Sequence, residues 1–221
     1  SFITNRWGRQ QMGKEEKSMN KIIKEALVLM AITLVSGLLL GAVYSITKQP
    51  IAQAEEKAQK EAYLAVFPDA QDLTEPDNKE ELLTEAADVL DQAGFGTADT
   101  LEDFYLAEKD GAVTGVVMNI TSHEGYGGDI NFSMGVSMDK TVTGVEMLSL
   151  SETAGLGMRA KDEEFGREWF APQRMVTKNG ASAENEIDAI SGATFTSKAV
   201  TNGVNAGLRF YESLKEGGIL Q

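Results

Sequence analysis

Ten consecutive residues near the C-terminus, Asp188-Ala189-Ile190-Ser191-Gly192-Ala193-Thr194-Phe195-Thr196-Ser197, set hydroxyls and small side chains directly ahead of an amphipathic run. The first backbone N–H groups of a helix have no intrahelical acceptor, and the helix dipole adds partial positive charge beside them. A loop of this composition, with Gly192 and Ala193 leaving the backbone accessible and Lys198 just beyond, suits a phosphate. The same hydroxyls suit a second role: Thr194, Thr196 or Ser197 could each cap the helix with no ligand at all. Spacing alone fits both readings. No Gly-x-x-x-x-Gly-Lys is present, so the segment is not a Walker loop.

Two other stretches stand out. His123-Glu124-Gly125-Tyr126-Gly127-Gly128 lies between strand-like segments, and its glycines permit either close approach of a ligand or an ordinary turn. Ser151-Glu152-Thr153-Ala154-Gly155-Leu156-Gly157 is a second loop of small residues. The usual catalytic sets are missing, since the chain has no cysteine and one histidine, His123. Composition therefore excludes thiolate-held iron–sulfur clusters, disulfides and thiol nucleophiles, and no nucleophile–His–acid set is visible around the single histidine. No cluster with zinc-ligand character is visible, and His123 reads as a structural or surface residue. The formal net charge of −14 argues against nucleic acid as a partner.

The elements that position these stretches begin with an apolar helix. Ala26 to Thr47 is 22 residues without a charge, about 33 Å as a helix and enough to cross a bilayer core. Arg6, Arg9, Lys14, Lys17, Lys21 and Lys24 precede it, whereas Lys48, Lys57 and Lys60 are diluted by Glu55, Glu56 and Glu61. The positive-inside rule then leaves the N-terminus in the cytoplasm. Ala52-Gln53-Ala54 resembles a signal cleavage site, but the apolar core is longer than a signal core, so the segment reads as a permanent anchor. Met19 is a candidate natural start, with polar, irregular residues before it.

Pro50 is expected to end or kink the span. Ile51 to Val66 is rich in Ala, Glu, Lys and Gln and reads as a helix, and a short helix is expected around Lys79–Leu90. Phe104 to Ala107 and Val113 to Ile120 pair across an Asp110-Gly111 turn as a hairpin. Asn131 to Met138 and Val142 to Leu150 form a second hairpin around Asp139-Lys140. Residues 161–170 read as a short amphipathic helix. The last helix is expected from about Thr196 to Lys215, with Val200, Val204, Leu208 and Tyr211 on one apolar face. The fold class is α+β: residues 1–21 cytoplasmic, 22–47 a single transmembrane helix, 48–100 a helical acidic connector, and 101–221 a domain of antiparallel hairpins packed with helices.

Asp188-x-x-Ser191-Gly192-Ala193-Thr194 resembles the Asp-x-x-(Ser/Thr)-Gly-Ala-Thr signature of FMN-binding domains in the RnfG and NqrC family. The Gly125-Tyr126-Gly127-Gly128 stretch resembles the family's Gly-Tyr-Gly-Gly. Residues 152–157 resemble its Glu-Thr-Pro-Gly-Leu-Gly loop, with Ala154 where the family has Pro. The likeness covers about residues 20–215, anchor included, and chain length favours RnfG over NqrC. It implies an extracytoplasmic domain carrying FMN esterified through its phosphate to Thr194 by a flavin transferase that consumes FAD. Ser191, Gly192, Ala193, Thr196, Lys198, Tyr126, Gly127, Gly128, Glu152, Thr153, Leu156 and Gly157 are then expected to surround the cofactor. Tyr126 and Leu156 would pack on the ring, and Glu152 would face the ring or another subunit. Asp188 would either bind the metal that accompanies FAD or shape the turn.

The implied role is an electron relay, without catalytic residues or a resident metal, in the inner-membrane Rnf complex. That complex passes electrons between ferredoxin and NAD and moves sodium or protons. Its other subunits would supply iron–sulfur clusters and a second covalent FMN. Two alternatives remain: an NqrC-type subunit of a sodium-pumping quinone reductase, and a flavin-binding sensor or anchoring module.

Overall fold

The computed structural model describes residues 4–162, 165, 175–177 and 186–220. The chain divides into two compact units, one ending at Glu55 and the other running Glu56–Gln221. Helix α1 spans Thr4–Val66. Within it, Ile23–Ile51 is long and apolar enough to cross a membrane; its 29 residues reach about 43 Å. Leu29, Leu38, Leu40 and Ile46 are exposed, a surface that suits hydrocarbon better than water. Three hydroxyls in this stretch turn onto their own helix: Thr33 donates to the Met30 carbonyl, Ser45 to Gly41 and Thr47 to Val43, each at 2.9 Å. Such back-bonding satisfies them where water is scarce. Of the two outcomes expected at Pro50, an end to the helix does not occur. Pro50 lies inside the helix, which forgoes one backbone bond, and the strong helix formers after it carry the helix on to Val66.

The second unit is built on a five-stranded antiparallel sheet, with β1 (Asp72–Thr74), β2 (Asp99–Lys109), β3 (Ala112–Ser122), β4 (Ile130–Ser137) and β5 (Val142–Leu150) in that spatial order. The Asp110-Gly111 turn has φ of 53° and 77°, the left-handed pair that an Asp-Gly hairpin favours. At the second expected turn, Lys140 also has positive φ. Helix α2 (Lys79–Gln92) and helix α3 (Thr194–Glu216) complete the layer on one face. A parallel pair, β6 (Met175–Thr177) with β7 (Glu186–Asp188), stands apart from the hairpins and was not legible as such. The helix expected over residues 161–170 lies mostly outside the described residues; Lys161 closes a short 3-10 helix, Gly157–Lys161.

Strand alternation sorts the core. Phe104, Leu106, Val116, Met118, Ile120, Phe132 and Met134 are buried with α2 and α3. Val200, Val204, Leu208 and Tyr211, the apolar face read from spacing, are all buried there too. Small residues let α3 lie close: a Cβ on Gly203 would stand 2.8 Å from Phe132 Cζ, and one on Gly207 2.7 Å from Ile120 Cδ1. The smaller opposite cluster holds Tyr63, Val66 and Phe67 against Ala107 and Val117. There the end of α1 sits in a groove of glycines. A Cβ on Gly135 would stand 2.5 Å from the Val66 carbonyl oxygen, and one on Gly115 2.5 Å from Phe67 Cε2. The Thr143 hydroxyl donates to the same Val66 carbonyl.

The stretch expected to be a connector contributes to this core through Ala62, Tyr63, Val66, Ala86 and Leu90. Lys79, at the start of α2, bonds Glu75 at 2.8 Å and Asp103 at 2.7 Å, with its ammonium 3.8 Å from the centroid of the Tyr105 ring. These contacts tie α2 to β2.

Candidate functional site

Three segments meet at one cleft. The first is the start of α3. Its N-cap is Ala193, with no side-chain capping bond, so none of the three hydroxyls singled out from the sequence caps the helix. The Ser197 hydroxyl instead accepts from the Ile190 amide and donates to the Ala193 carbonyl, both at 2.9 Å, latching the preceding turn onto the helix. Gly192 has φ of 79°, a backbone that resists any side chain. Thr194 is the first residue of the helix, two positions earlier than spacing predicted, and is half-buried. The amides of the first turn have no intrahelical acceptor.

The second segment is Gly125–Gly128, and the third is the loop from Ser151 to Gly157. One side chain joins them: Glu152 Oε1 accepts from the Tyr126 amide at 2.7 Å and the Gly127 amide at 3.2 Å. Glu152, expected to face the ring or another subunit, lines the cleft and spends one carboxylate oxygen on backbone, a charge-assisted arrangement that fixes the loop. Gly157 is pressed between this carboxylate and α3; a Cβ there would stand 2.6 Å from both Glu152 Oε2 and Thr196 Oγ1. The Leu156 and Met158 amides both donate to the Thr153 carbonyl, at 3.1 and 3.2 Å.

The cleft has a volume of about 390 Å³ and is lined by Tyr126, Glu152, Thr153, Leu156, Gly157, Gly192, Ala193, Thr194, Phe195 and Thr196. Ser191, Gly127, Gly128 and Lys198 do not line it; Ser191 and Lys198 are exposed beside it. Asp188, at the end of β7, is exposed. His123 is held on both ring nitrogens, Nδ1 by Asp129 and Nε2 by Thr100, each at 3.0 Å, which fits its structural reading. Among the described residues no group of three or more His, Cys, Asp or Glu could hold a metal ion.

Phe195 was missed. Beyond α1, the exposed large hydrophobics among the described residues are Tyr126, Leu156 and Phe195, and all three line this cleft. Clustering of that kind marks a ligand or partner surface. The only sequence signal for Phe195 was its place inside the hydroxyl motif, where an apolar ring at the second position of a helix has no core to enter.

The donor set and shape fit a flavin nucleotide: free helix amides suit its phosphate, and exposed flat side chains suit its ring. Residues 125–209 match the family model described as the FMN-binding domain. The fold and cleft thus define a class, FMN-binding domains joined to an N-terminal helix of membrane-crossing length. Residues 12–66 match the RnfG N-terminal region. A G subunit of the ion-translocating oxidoreductase complex from Cereibacter sphaeroides is 31% identical over 194 residues, 84% of this chain and 82% of the relative. The G subunit of the Na(+)-translocating ferredoxin:NAD(+) oxidoreductase complex of Acetobacterium woodii is 29% identical, over 88% of this chain and 94% of its own. That of the proton-translocating complex of Clostridium ljungdahlii is 29% identical, over 86% and 91%. The chain belongs to the RnfG family, the G subunits of ion-translocating oxidoreductase complexes.

Proposed function

We propose that this chain carries FMN esterified through its phosphate to Thr194 and serves as an electron relay in a membrane complex that couples ferredoxin and NAD to ion movement. One observation carries the attachment point. Thr194 is the first residue of α3, half-buried on a cleft whose rim is the exposed cluster of Tyr126, Leu156 and Phe195. In the attachment, the Thr194 hydroxyl oxygen forms the new bond to the phosphorus of the FMN half of FAD. The bond to the AMP half breaks, AMP leaves, and the hydroxyl proton passes to solvent. Bound FMN supplies the redox chemistry. The protein's share is to place the phosphate on the α3 amides and to hold the Gly125–Gly128 loop through Glu152.

The basic residues ahead of the apolar stretch support a cytoplasmic N-terminus, with residues 1–21 inside, 22–47 across the membrane and the flavin domain outside. Partner subunits then supply the iron–sulfur clusters and a second FMN, and a flavin transferase loads Thr194. The relatives differ in the ion their names carry, sodium in one and proton in another.

The test is the intact mass and fragmentation of the full chain made alongside a flavin transferase. One FMN less one water is expected on the peptide containing Thr194, and a Thr194→Val chain should insert in the membrane without flavin. A Thr194→Val chain that keeps the full adduct refutes the attachment point.

A further inference from the structure

Two of the exposed side chains at the cleft, Tyr126 and Phe195, form a loose aromatic pair. The ring centroids of Tyr126 and Phe195 are 6.4 Å apart, with their planes tilted by 42°. That is a loose, tilted pair, toward the long end of the roughly 4.5–7 Å range of aromatic contacts. Two aromatic faces that each touch a flat ring at about 3.5 Å stand about 7 Å apart. The pair therefore needs to open by only about 0.6 Å to admit one flat ring.

Both rings are costly to leave in water. Tyr126 is 74% exposed and Phe195 69% exposed, and neither is buried against the core. Yet both are mounted on fixed backbone. The Tyr126 amide is clamped by Glu152 at 2.7 Å. Phe195 is the second residue of α3, whose preceding turn is latched by Ser197. The backbones are anchored while the side chains can turn, and exposed rotamers turn quickly. A tilt of 42° is removed by rotation of either ring.

We infer that Tyr126 and Phe195 form an aromatic clip that closes on the two faces of the isoalloxazine ring, with Leu156 closing the side. This rests on the attachment of FMN at Thr194, the residue before Phe195, which delivers a tethered ring to the clip. Phe195 thereby becomes a cofactor-contacting residue, and Glu152 becomes a positioning residue that acts through the Tyr126 backbone. A clip of this kind allows tight ring contact in an otherwise open cleft, and aromatic contact adds to area burial.

The experiment uses the full chain, purified in detergent after production with a flavin transferase. Tyr126→Ala, Phe195→Ala and the double variant are compared with the parent by intact mass, flavin fluorescence lifetime and fluorescence anisotropy. Neither ring belongs to the core, so the variants should fold. Tyr126 lies outside the attachment motif, so its variant keeps the adduct even if Phe195→Ala loads poorly. The expected result is unchanged FMN mass in Tyr126→Ala, with a severalfold longer lifetime and lower anisotropy as the ring is freed from contact. Glu152→Ala should reproduce part of that change, and Glu152→Gln, which keeps the acceptor oxygen, should largely restore the parent values. Full FMN mass with parental lifetime and anisotropy in Tyr126→Ala and in every loaded Phe195 variant overturns the clip and leaves the attachment intact. A parent chain without FMN on Thr194 overturns both.

Discussion

Gly157 and Thr196 touch across the floor of the cleft: a Cβ built on Gly157 would stand 2.6 Å from the Thr196 hydroxyl oxygen and equally close to Glu152 Oε2. One hydrogen atom thus keeps apart the carboxylate that holds the Tyr126 loop and the helix that carries Thr194. Gly157→Ala is expected to force these groups apart at a cost of about 1–3 kcal/mol. Flavin content should fall with it. Thermal unfolding together with the ratio of flavin to protein absorbance checks both; an unchanged ratio would place Gly157 outside the site's structural support.

Asp99 carries the clearest pH signature. It is 2% exposed at the start of β2, and neither carboxylate oxygen has a hydrogen-bond partner among the described residues. Burial pushes its pKa up to about 6; the nearby Ser122 hydroxyl and His123 pull it down, and Glu124 pushes it up. The folded chain therefore holds this proton more tightly than the unfolded chain does. Well below pH 4 the group costs nothing. As pH rises to about 6 the unfolded state releases its proton first and stability falls, by roughly 2–3 kcal/mol, reaching a floor above that. Asp99→Asn should raise the melting temperature at pH 7.5 and have a much smaller effect at about pH 3. Equal effects at the two pH values would show that the carboxylate charge is not the cause.

The glycine groove under α1 gives a third expectation. Gly135→Ala would drive a methyl into the Val66 carbonyl and Thr143. It should cost about 1–3 kcal/mol by overpacking and speed proteolysis around Phe67. Thr143→Val removes the hydroxyl bond to Val66 without adding bulk, and should cost about 1 kcal/mol. Denaturant unfolding of the two variants, read beside the parent, separates steric from hydrogen-bond effects.

Much of this architecture was readable because local chemistry dictated it. The Asp110-Gly111 turn needs left-handed residues, and the α3 stripe of Val200, Val204, Leu208 and Tyr211 repeats with the helix period. The hydroxyl motif drew notice because hydroxyls and glycine gathered ahead of a helix suit either a cap or an anion, and spacing alone does not choose between them. Other features depend on partners distant in sequence. Strand β1 is three residues, Asp72-Leu73-Thr74, held by pairing with Glu108, Ala107 and Leu106, and so short a strand has no alternation to read. The Glu152 clamp reaches back across 26 positions to Tyr126. Burial of Val66 and Phe67 depends on three strands whose glycines, Gly115, Gly135 and Gly144, make room for them. Phe195 escaped notice because its ring serves no core, and core patterns are what periodicity detects.

Helix α3 is keyed to the sheet by its missing side chains. Gly203 seats Phe132 and Gly207 seats Ile120, nine and thirteen residues beyond Thr194, or about 14 and 20 Å along the axis. A helix indexed by such notches cannot slide by a fraction of a turn or roll about its axis without a collision. The threonine's place on the cleft is thus dictated from deep within the domain. A bulkier residue at either notch would misplace Thr194 while every group around it stayed unaltered.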